Sequence, residues 1–243
     1  MVTISPATKV RDVALQLPHA TRVFEKFKID YCCGGDQPLE AACSSAGADF
    51  KNILQLIEQI NNKPDTGESE RDWRKASATE LIVYVLDKHH VFTKEEMARL
   101  EPLADKVVAA HGANHPELLA IRDLMRQLFG DLRPHMFKEE QILFPFIHAL
   151  EKAGQQKGRA PFAPFGTVNN PIRLMLTEHD TAGDLLREMR KLSSDYTVPA
   201  DACVSFKTFY EALAAFEQDL HQHIHLENNL LFPQAVELEA MLR

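Results

Sequence analysis

The sequence predicts an all-α fold: an up-down-up-down four-helix bundle preceded by a small N-terminal helical unit. Three observations point there. Apolar residues recur every three to four positions over most of the chain, the period of a helix with one buried face. One stretch occurs twice, as His135-Met-Phe-Lys-Glu139-Glu-Gln-Ile-Leu-Phe-Pro145 and as His223-Ile-His-Leu-Glu227-Asn-Asn-Leu-Leu-Phe-Pro233. Each copy closes a half-repeat of two long helical segments, and antiparallel helix pairs assemble into a bundle whose inward side chains meet at its centre.

Composition sets the outer bounds. With 243 residues, 45 % of them hydrophobic, the chain can build one large domain or a medium and a small one. Its net charge of −8 argues against a general nucleic-acid binder. No apolar run reaches the roughly 18 residues of a membrane span. The start, Met-Val-Thr-Ile-Ser-Pro, lacks a basic stretch followed by an apolar one, so no secretory signal is expected. Four cysteines in a chain of this length do not make a disulfide framework. A reducing cytoplasm is the expected location.

Residues 1–62 read as the small helical domain. Val10, Val13, Ala14 and Leu17 are helix-spaced, Pro18 breaks the segment, and Val23, Phe24 and Phe27 continue on the next. Asp49 is positioned to cap a third stretch carrying Phe50, Ile53, Leu54, Ile57 and Ile60. Between them lies Asp30-Tyr31-Cys32-Cys33-Gly34-Gly35, whose glycines mark a turn of special backbone geometry. Adjacent Cα atoms sit about 3.8 Å apart, closer than the roughly 4.4–6.8 Å of a relaxed disulfide. Cys32 and Cys33 therefore suit metal binding, nitrosylation or exchange with a third thiol better than bonding to each other; two small buried residues before a turn is the plainer reading. Cys43 and Cys203 fall within helical patterns as packing residues. Residues 63–76 lack periodicity at their start and read as a linker.

The bundle is expected over 77–243. Its first helix starts near Thr79 and passes through Leu86, His89, His90, Met97 and Leu100, with Pro102 kinking or ending it. The second starts near Pro116 and runs through Ile121, Leu124, Leu128 and Leu132 into the first His-x-x-x-Glu, with a kink at Pro134. Residues 151–170 form the long connection. The third helix starts at Asn170-Pro171 and carries Met175, Leu176, His179, Ala182 and Leu186; the fourth starts near Pro199 and carries Phe206, Phe209, Leu213 and Phe216 into the second His-x-x-x-Glu.

Positions i and i+4 of a helix lie on one face, so each copy aims an imidazole and a carboxylate in one direction. That face is otherwise apolar: Leu128, Leu132, Ile142, Leu143 and Phe146 around His135, and Phe216, Leu220, Leu230 and Leu231 around His223. A carboxylate on such a stripe costs several kcal/mol unless compensated. One such pair could be satisfied by water or by a nearby Arg or Lys. Two matching pairs, joined by His179 and by His89 or His90 at the corresponding places, point to a metal. Imidazole and carboxylate suit Fe, Mn or Zn. Two carboxylates at a bundle centre can bridge two metals that keep two His each, leaving room for an oxygen bridge and a small ligand such as O₂ or NO.

These motifs carry a resemblance. HMFKEEQILFP, the Glu-His-Asp at 178–180 and HIHLENNLLFP are similar to the hemerythrin-like di-iron domain. Asp30-Tyr31-Cys32-Cys33-Gly34-Gly35, Asp72-Trp73-Arg74 and Ser205-Phe206-Lys207 resemble, more narrowly, the repair-of-iron-centres di-iron protein family of the ScdA, YtfE, DnrN and NorA type. The resemblance spans nearly the whole chain. It implies a non-haem di-iron cofactor, oxo- or hydroxo- and carboxylate-bridged, held by His90, His135, Glu139, His179, His223 and Glu227, with the two Glu as bridges. It selects His90 over His89, which periodicity alone leaves open. Where the family often has a further His, this chain has Thr93. Glu178 is expected beside the ligands rather than among them, and His221 and His225, on other faces than His223, are expected either on the solvent side or behind the ligands.

The implied role is repair of iron–sulfur clusters damaged by nitric oxide or oxidative stress, with Cys32 and Cys33 exchanging iron or nitrosyl with a client. The implied partners are damaged iron–sulfur proteins and NO or O₂, without nucleic acid or membrane; a homodimer is compatible with the chain. Two alternatives accompany it: a cytoplasmic NO-binding protein that lowers free NO, and an enzyme that reduces NO at two adjacent ferrous ions.

Overall fold

The apolar periodicity is realised almost throughout as helix. The computed structural model describes residues 4–61 and 72–243. Among them there is no β-strand, only an isolated bridge between Lys9 and Pro38. The small unit comprises α1 (Val10–Gln16), α2 (Ala20–Phe27), α3 (Leu39–Ser45) and α4 (Phe50–Asn61). Val13, Phe24, Tyr31, Leu39, Ile53 and Ile57 form its core. The Asp49 carboxylate accepts from the Asn52 amide at 2.9 Å, capping α4. Of the expected linker, residues 63–71 lie outside the described residues; Trp73–Lys75 form one 3₁₀ turn.

Four long arms follow. The first comprises α5 (Ala78–Tyr84), a π-helical turn (Val85–His90) and α6 (Val91–His111). The second comprises α7 (Glu117–Lys138), a π turn (Glu139–Leu143) and α8 (Phe144–Gln155). The third is α9 (Asn169–Leu192), and the fourth runs through α10 (Val204–Leu226), a π turn (Glu227–Leu231) and α11 (Phe232–Met241). α6 packs on α7 and α10, and α7 packs on α9, in an up-down-up-down bundle. Its core has two parts. One is built around Leu100, Phe129, Phe209 and Phe216, the other around Leu81, Phe144, Ile147 and Phe232. The polar residues singled out in the sequence fall at the junction of the two on every arm.

Several expectations need correction. Ile142 and Leu176, expected on buried stripes, are exposed. For Ile142 the cause is the π turn, which inserts one residue, rotates the stripe by about 100° and buries Leu143, Phe144 and Ile147 in its place. Of the two outcomes expected at Pro102, ending the helix is not realised, and α7 runs through Pro134 as expected. Both rings are exposed, as are Ala98 and Gly130 four residues earlier, so the carbonyls left without a donor face water. The fourth helix begins at Val204 rather than near Pro199, with Cys203 as its exposed N-cap rather than a packing residue. The long connection starts later than expected because α8 continues to Gln155, where Glu151 accepts from the amides of Ala78 and Thr79 and caps the first arm.

The small unit docks on the bundle by specific polar contacts. His221 Nδ1 lies 2.9 Å from Glu25 Oε1, which also accepts from the Tyr31 hydroxyl. Lys28 pairs with Asp195, and Arg187 lies 3.5 Å from Asp30. The side-chain amides of Asn228 and Asn229 donate to the carbonyls of Cys32 and Tyr31. The docked segment is the Cys-Cys-Gly-Gly turn itself. The Asp30 carboxylate accepts from the amides of both Cys32 and Cys33, at 3.0 Å each. Neither glycine here uses a left-handed φ, contrary to the special geometry expected of the turn; among the described residues the positive-φ glycines are Gly47 and Gly166. What Gly35 supplies is space: a Cβ there would sit 2.7 Å from the Tyr31 carbonyl oxygen and 2.8 Å from Arg11 Cβ. Gly35→Ala should therefore displace the turn and lower the stability of the N-terminal unit by about 1–3 kcal/mol. Chemical denaturation checks this, and an unchanged midpoint would show that the backbone absorbs the methyl freely.

Candidate metal centre

Each arm brings one imidazole to the bundle centre, and the second and fourth add a carboxylate one helical turn on. His90, His135, Glu139, His179, His223 and Glu227 are all buried, the two Glu completely. Their donor atoms form two groups, His90–Glu139–His223–Glu227 and His135–Glu139–His179–Glu227, each with its donor atoms within 4.8 Å of one another. Both Glu belong to both groups. Glu139 places Oε1 3.3 Å from His135 Nε2 and Oε2 3.4 Å from His90 Nε2. Glu227 places Oε1 3.0 Å from His223 Nε2 and Oε2 3.2 Å from His179 Nε2. Each carboxylate thus spans the two groups with one oxygen apiece. His89, which periodicity could not separate from His90, is buried but outside both groups.

The chemistry of this donor set favours a cation. Both Glu139 oxygens, Glu227 Oε2 and His90 Nε2 are buried without a good hydrogen bond, and buried polar atoms in that condition are destabilising unless something else satisfies them. The Nε2 atoms of His135 and His179 face each other at 3.1 Å, where two lone pairs would repel without a proton or a metal between them. Burial opposes charge on His135, but the carboxylates of Glu139, Glu178 and Glu227 outweigh it and raise its pKa to about 10. Burial pushes Glu227 up, yet His223 and His179 hold it well below the usual carboxylate range. Glu139 is lowered too, its imidazole partners outweighing burial and the nearby Glu227. An entering cation must displace the proton these imidazoles share, so cation and proton compete for the same lone pairs.

A second layer orients the rings. His90 Nδ1 is 2.8 Å from Glu140 Oε1, His135 Nδ1 is 2.7 Å from Glu178 Oε2, and His179 Nδ1 is 2.7 Å from Asn228 Oδ1. Such partners fix the tautomer and leave Nε2 free as the donor. Glu178, already expected beside the ligands, is held at about 2 by His135 and Lys138. Sequence reasoning missed Glu140 and Asn228, although the signal was present. Each directly follows the Glu of a His-x-x-x-Glu pair and serves the His of the preceding arm in its own half-repeat. Of the flanking histidines, His221 contacts Glu25, and His225 meets the Tyr31 ring edge-on at 5.3 Å between centroids.

Cys32 and Cys33 are free thiols with their sulfurs 3.8 Å apart. Cys32 is buried, and its neighbour Cys33 together with that burial pushes its pKa well up. Cys33 is half-buried and directs its thiol to the His179 carbonyl at 3.6 Å. Asn228 links the two features, accepting from His179 through its oxygen and donating to the Cys32 carbonyl through its nitrogen.

Residues 81–235 match the model of the hemerythrin HHE cation binding domain, and residues 7–61 match the domain of unknown function DUF542. A probable iron-sulfur cluster repair protein of Haemophilus influenzae is 33 % identical over 228 residues, covering 94 % of this chain and 96 % of its own. The iron-sulfur cluster repair protein YtfE of Dickeya chrysanthemi is 34 % identical over 225 residues, with 93 % and 95 % covered. The iron-sulfur cluster repair protein ScdA of Staphylococcus haemolyticus is 31 % identical over 223 residues, with 92 % and 95 % covered.

The fourth cysteine departs most from its expected packing role. Exposed Cys203 receives the Phe206 amide and sits 3.0 Å from His111 Nε2, which together lower its pKa to about 7. A lowered pKa puts the reactive thiolate at lower pH. Alkylation of Cys203 by iodoacetamide should reach half its maximal rate near pH 7 rather than at the roughly 8.5 of an ordinary thiol. Peptide mass spectrometry across a pH series reads this directly, with buried Cys43 as the slow internal reference.

Proposed function

The chain belongs to the family of iron–sulfur cluster repair proteins, and from that membership we propose that its bundle holds a di-iron centre serving the repair of clusters damaged by nitric oxide or oxidative stress. The observation that carries the di-iron reading is the pair of fully buried carboxylates, Glu139 and Glu227, each directing one oxygen into each four-donor group. Such a bridge lets two anionic side chains serve two cations. Two imidazoles and two carboxylate oxygens per position leave sites open on an octahedral ion, and iron suits this ligand mixture. When bound, the iron pair supplies transferable ferrous ions and open coordination for NO.

The chain's own residues do the rest. His90, His135, His179 and His223 present Nε2 as donors, and Glu140, Glu178 and Asn228 hold three of those rings in place. The apolar residues above and below exclude water. Asn228 ties the His179 ring to the Cys-Cys turn, so the half-buried Cys33 is stationed beside the centre as an exchange thiol for iron or nitrosyl arriving from, or leaving for, a client. The clients are damaged iron–sulfur proteins. Free thiols suit a reducing cytoplasm, and no described helix is long and apolar enough to cross a membrane. NO capture by the same open positions is the second reading, favoured by the stationing of Cys33 next to a ligand-bearing backbone.

Iron-loaded protein should restore activity to an NO-damaged cluster enzyme or pass iron to an apo-cluster protein. Neither happening would remove the repair role, whereas tight reversible Fe–NO formation without iron loss would favour NO binding. Glu139→Ala should lose most of its iron. That effect should exceed the roughly 10–100-fold weakening expected from removing an outer partner such as Asn228. Metal analysis of the two variants purified in parallel decides the bridging assignment, and full retention of iron in Glu139→Ala would refute it.

A further inference from the structure

Resting on the di-iron reading above, the two cation positions are not served alike. Glu140, Glu178 and Asn228 face the Nδ1 atoms of His90, His135 and His179, while Nδ1 of His223 has no partner among the described residues. The half-repeat explains the difference. His135 is held by Glu178, the residue immediately before His179. The residue immediately before His90 is His89, which stands against His223 but does not accept from it. The two rings lie parallel, with 5.6 Å between centroids and 9° between planes.

His89 has its own support. It is completely buried, and its Nδ1 is 3.0 Å from Asp219 Oδ2. A carboxylate accepts, so Nδ1 carries the hydrogen and Nε2 carries the unshared pair. No described group donates to that Nε2. A buried imidazole backed by a carboxylate and offering a bare lone pair is how protein histidines ligate metals, yet His89 belongs to neither four-donor group. It is a wall of a cavity of about 110 Å³ between the N-terminal helices and the bundle, where it meets Pro18, Thr21, Tyr84, Lys88 and His225. That volume holds several waters and hence a partly hydrated ion.

We propose that His89 is a staging ligand, through which iron at the His90–His223 position, and not at the His135–His179 position, exchanges with the cavity. The step is a ligand substitution. A bond from the iron to His89 Nε2 would form as its bonds to His90 Nε2 and the two carboxylates break, with His223 Nε2 still bound; donors of the receiver would then displace both imidazoles, the vacated groups would retake the protons that the cation had displaced, and the iron would stay ferrous. Lys88 at the cavity wall favours a receiver that brings anionic donors.

Full-length protein loaded anaerobically with two ferrous ions per chain and mixed with ferrozine, an anionic ferrous chelator, provides the test. The wild type should release its iron in two phases of equal amplitude. His89→Gln should start with two irons and slow the fast phase by roughly tenfold or more, leaving the slow phase unchanged. Asp219→Ala keeps the imidazole but removes the acceptor that fixes its tautomer, and should slow the same phase. A single phase in the wild type, or an unchanged fast phase in the variants, overturns the proposal. So does a folded His89→Gln protein that carries one iron at the outset, because His89 would then be a fixed support of His223. If His89→Gln does not fold, Asp219→Ala decides alone. Failure of the wild type to load two irons would instead remove the di-iron reading, and needs no variant to detect.

Discussion

Two carboxylates with no exposed surface, set among four imidazoles between two apolar cores, are the constraint on which the rest of this structure depends. Burying either charge costs several kcal/mol in effective desolvation, and each carboxylate worsens the position of the other, as the upward push of Glu227 on Glu139 shows. Protonated imidazoles relieve part of this, which is why His135 clings to its proton. Protons cannot satisfy every lone pair, since several stay without a partner. A cation at each four-donor group answers the repulsion and the unsatisfied atoms together, and releases the protons that the imidazoles otherwise hold.

The bundle geometry follows from meeting that constraint twice. Three arms carry a π turn that contains or begins at a residue of the four-donor groups: His90 ends one, and Glu139 and Glu227 begin the others. The extra residue lets the Glu face the centre while the next residue, Glu140 or Asn228, turns to the ring on the preceding arm. The same local device builds both the donor layer and the layer behind it. Asn228 and Asn229 then extend the pattern outward to the carbonyls of Cys32 and Tyr31. The N-terminal unit is therefore positioned by residues that belong to the second His-x-x-x-Glu stretch.

Much of this was legible in the sequence, for a physical reason: a repeated polar pair on an apolar stripe is too costly to be incidental. The helical arms, the bundle and five of the six converging residues could be read from spacing, while the choice of His90 came from the family resemblance. The misreadings have equally physical causes. A fixed period of 3.6 residues cannot anticipate a π turn, so Ile142 was placed on the wrong face. Spacing alone cannot say whether Pro102 kinks or ends its helix; it and Pro134 are both tolerated where their turns face water. Cys203 reads as packing because the helical pattern extends over it, but the helix starts just after it and leaves it exposed. His89 and His90 share one face of the first arm, so periodicity leaves both open; the resemblance selects His90, and the convergence of donors places His90 rather than His89 in a four-donor group.

That separation matters beyond bookkeeping of ligands. A centre that stores iron permanently gains from equal support on all sides, because each outer partner deepens the binding. A centre that gives iron up needs one weaker flank, and needs it away from the thiols so that the two kinds of traffic do not compete. Here the Cys33 sulfur lies against the backbone of His179, on the fully supported side. The ring that lacks an outer acceptor, His223, belongs to the other four-donor group and stacks on His89, which lines the interdomain cavity. A chain built from two nearly matching halves thus departs from its own symmetry where one residue, His89, replaces an acid, and that departure gives the two ends of the centre different partners.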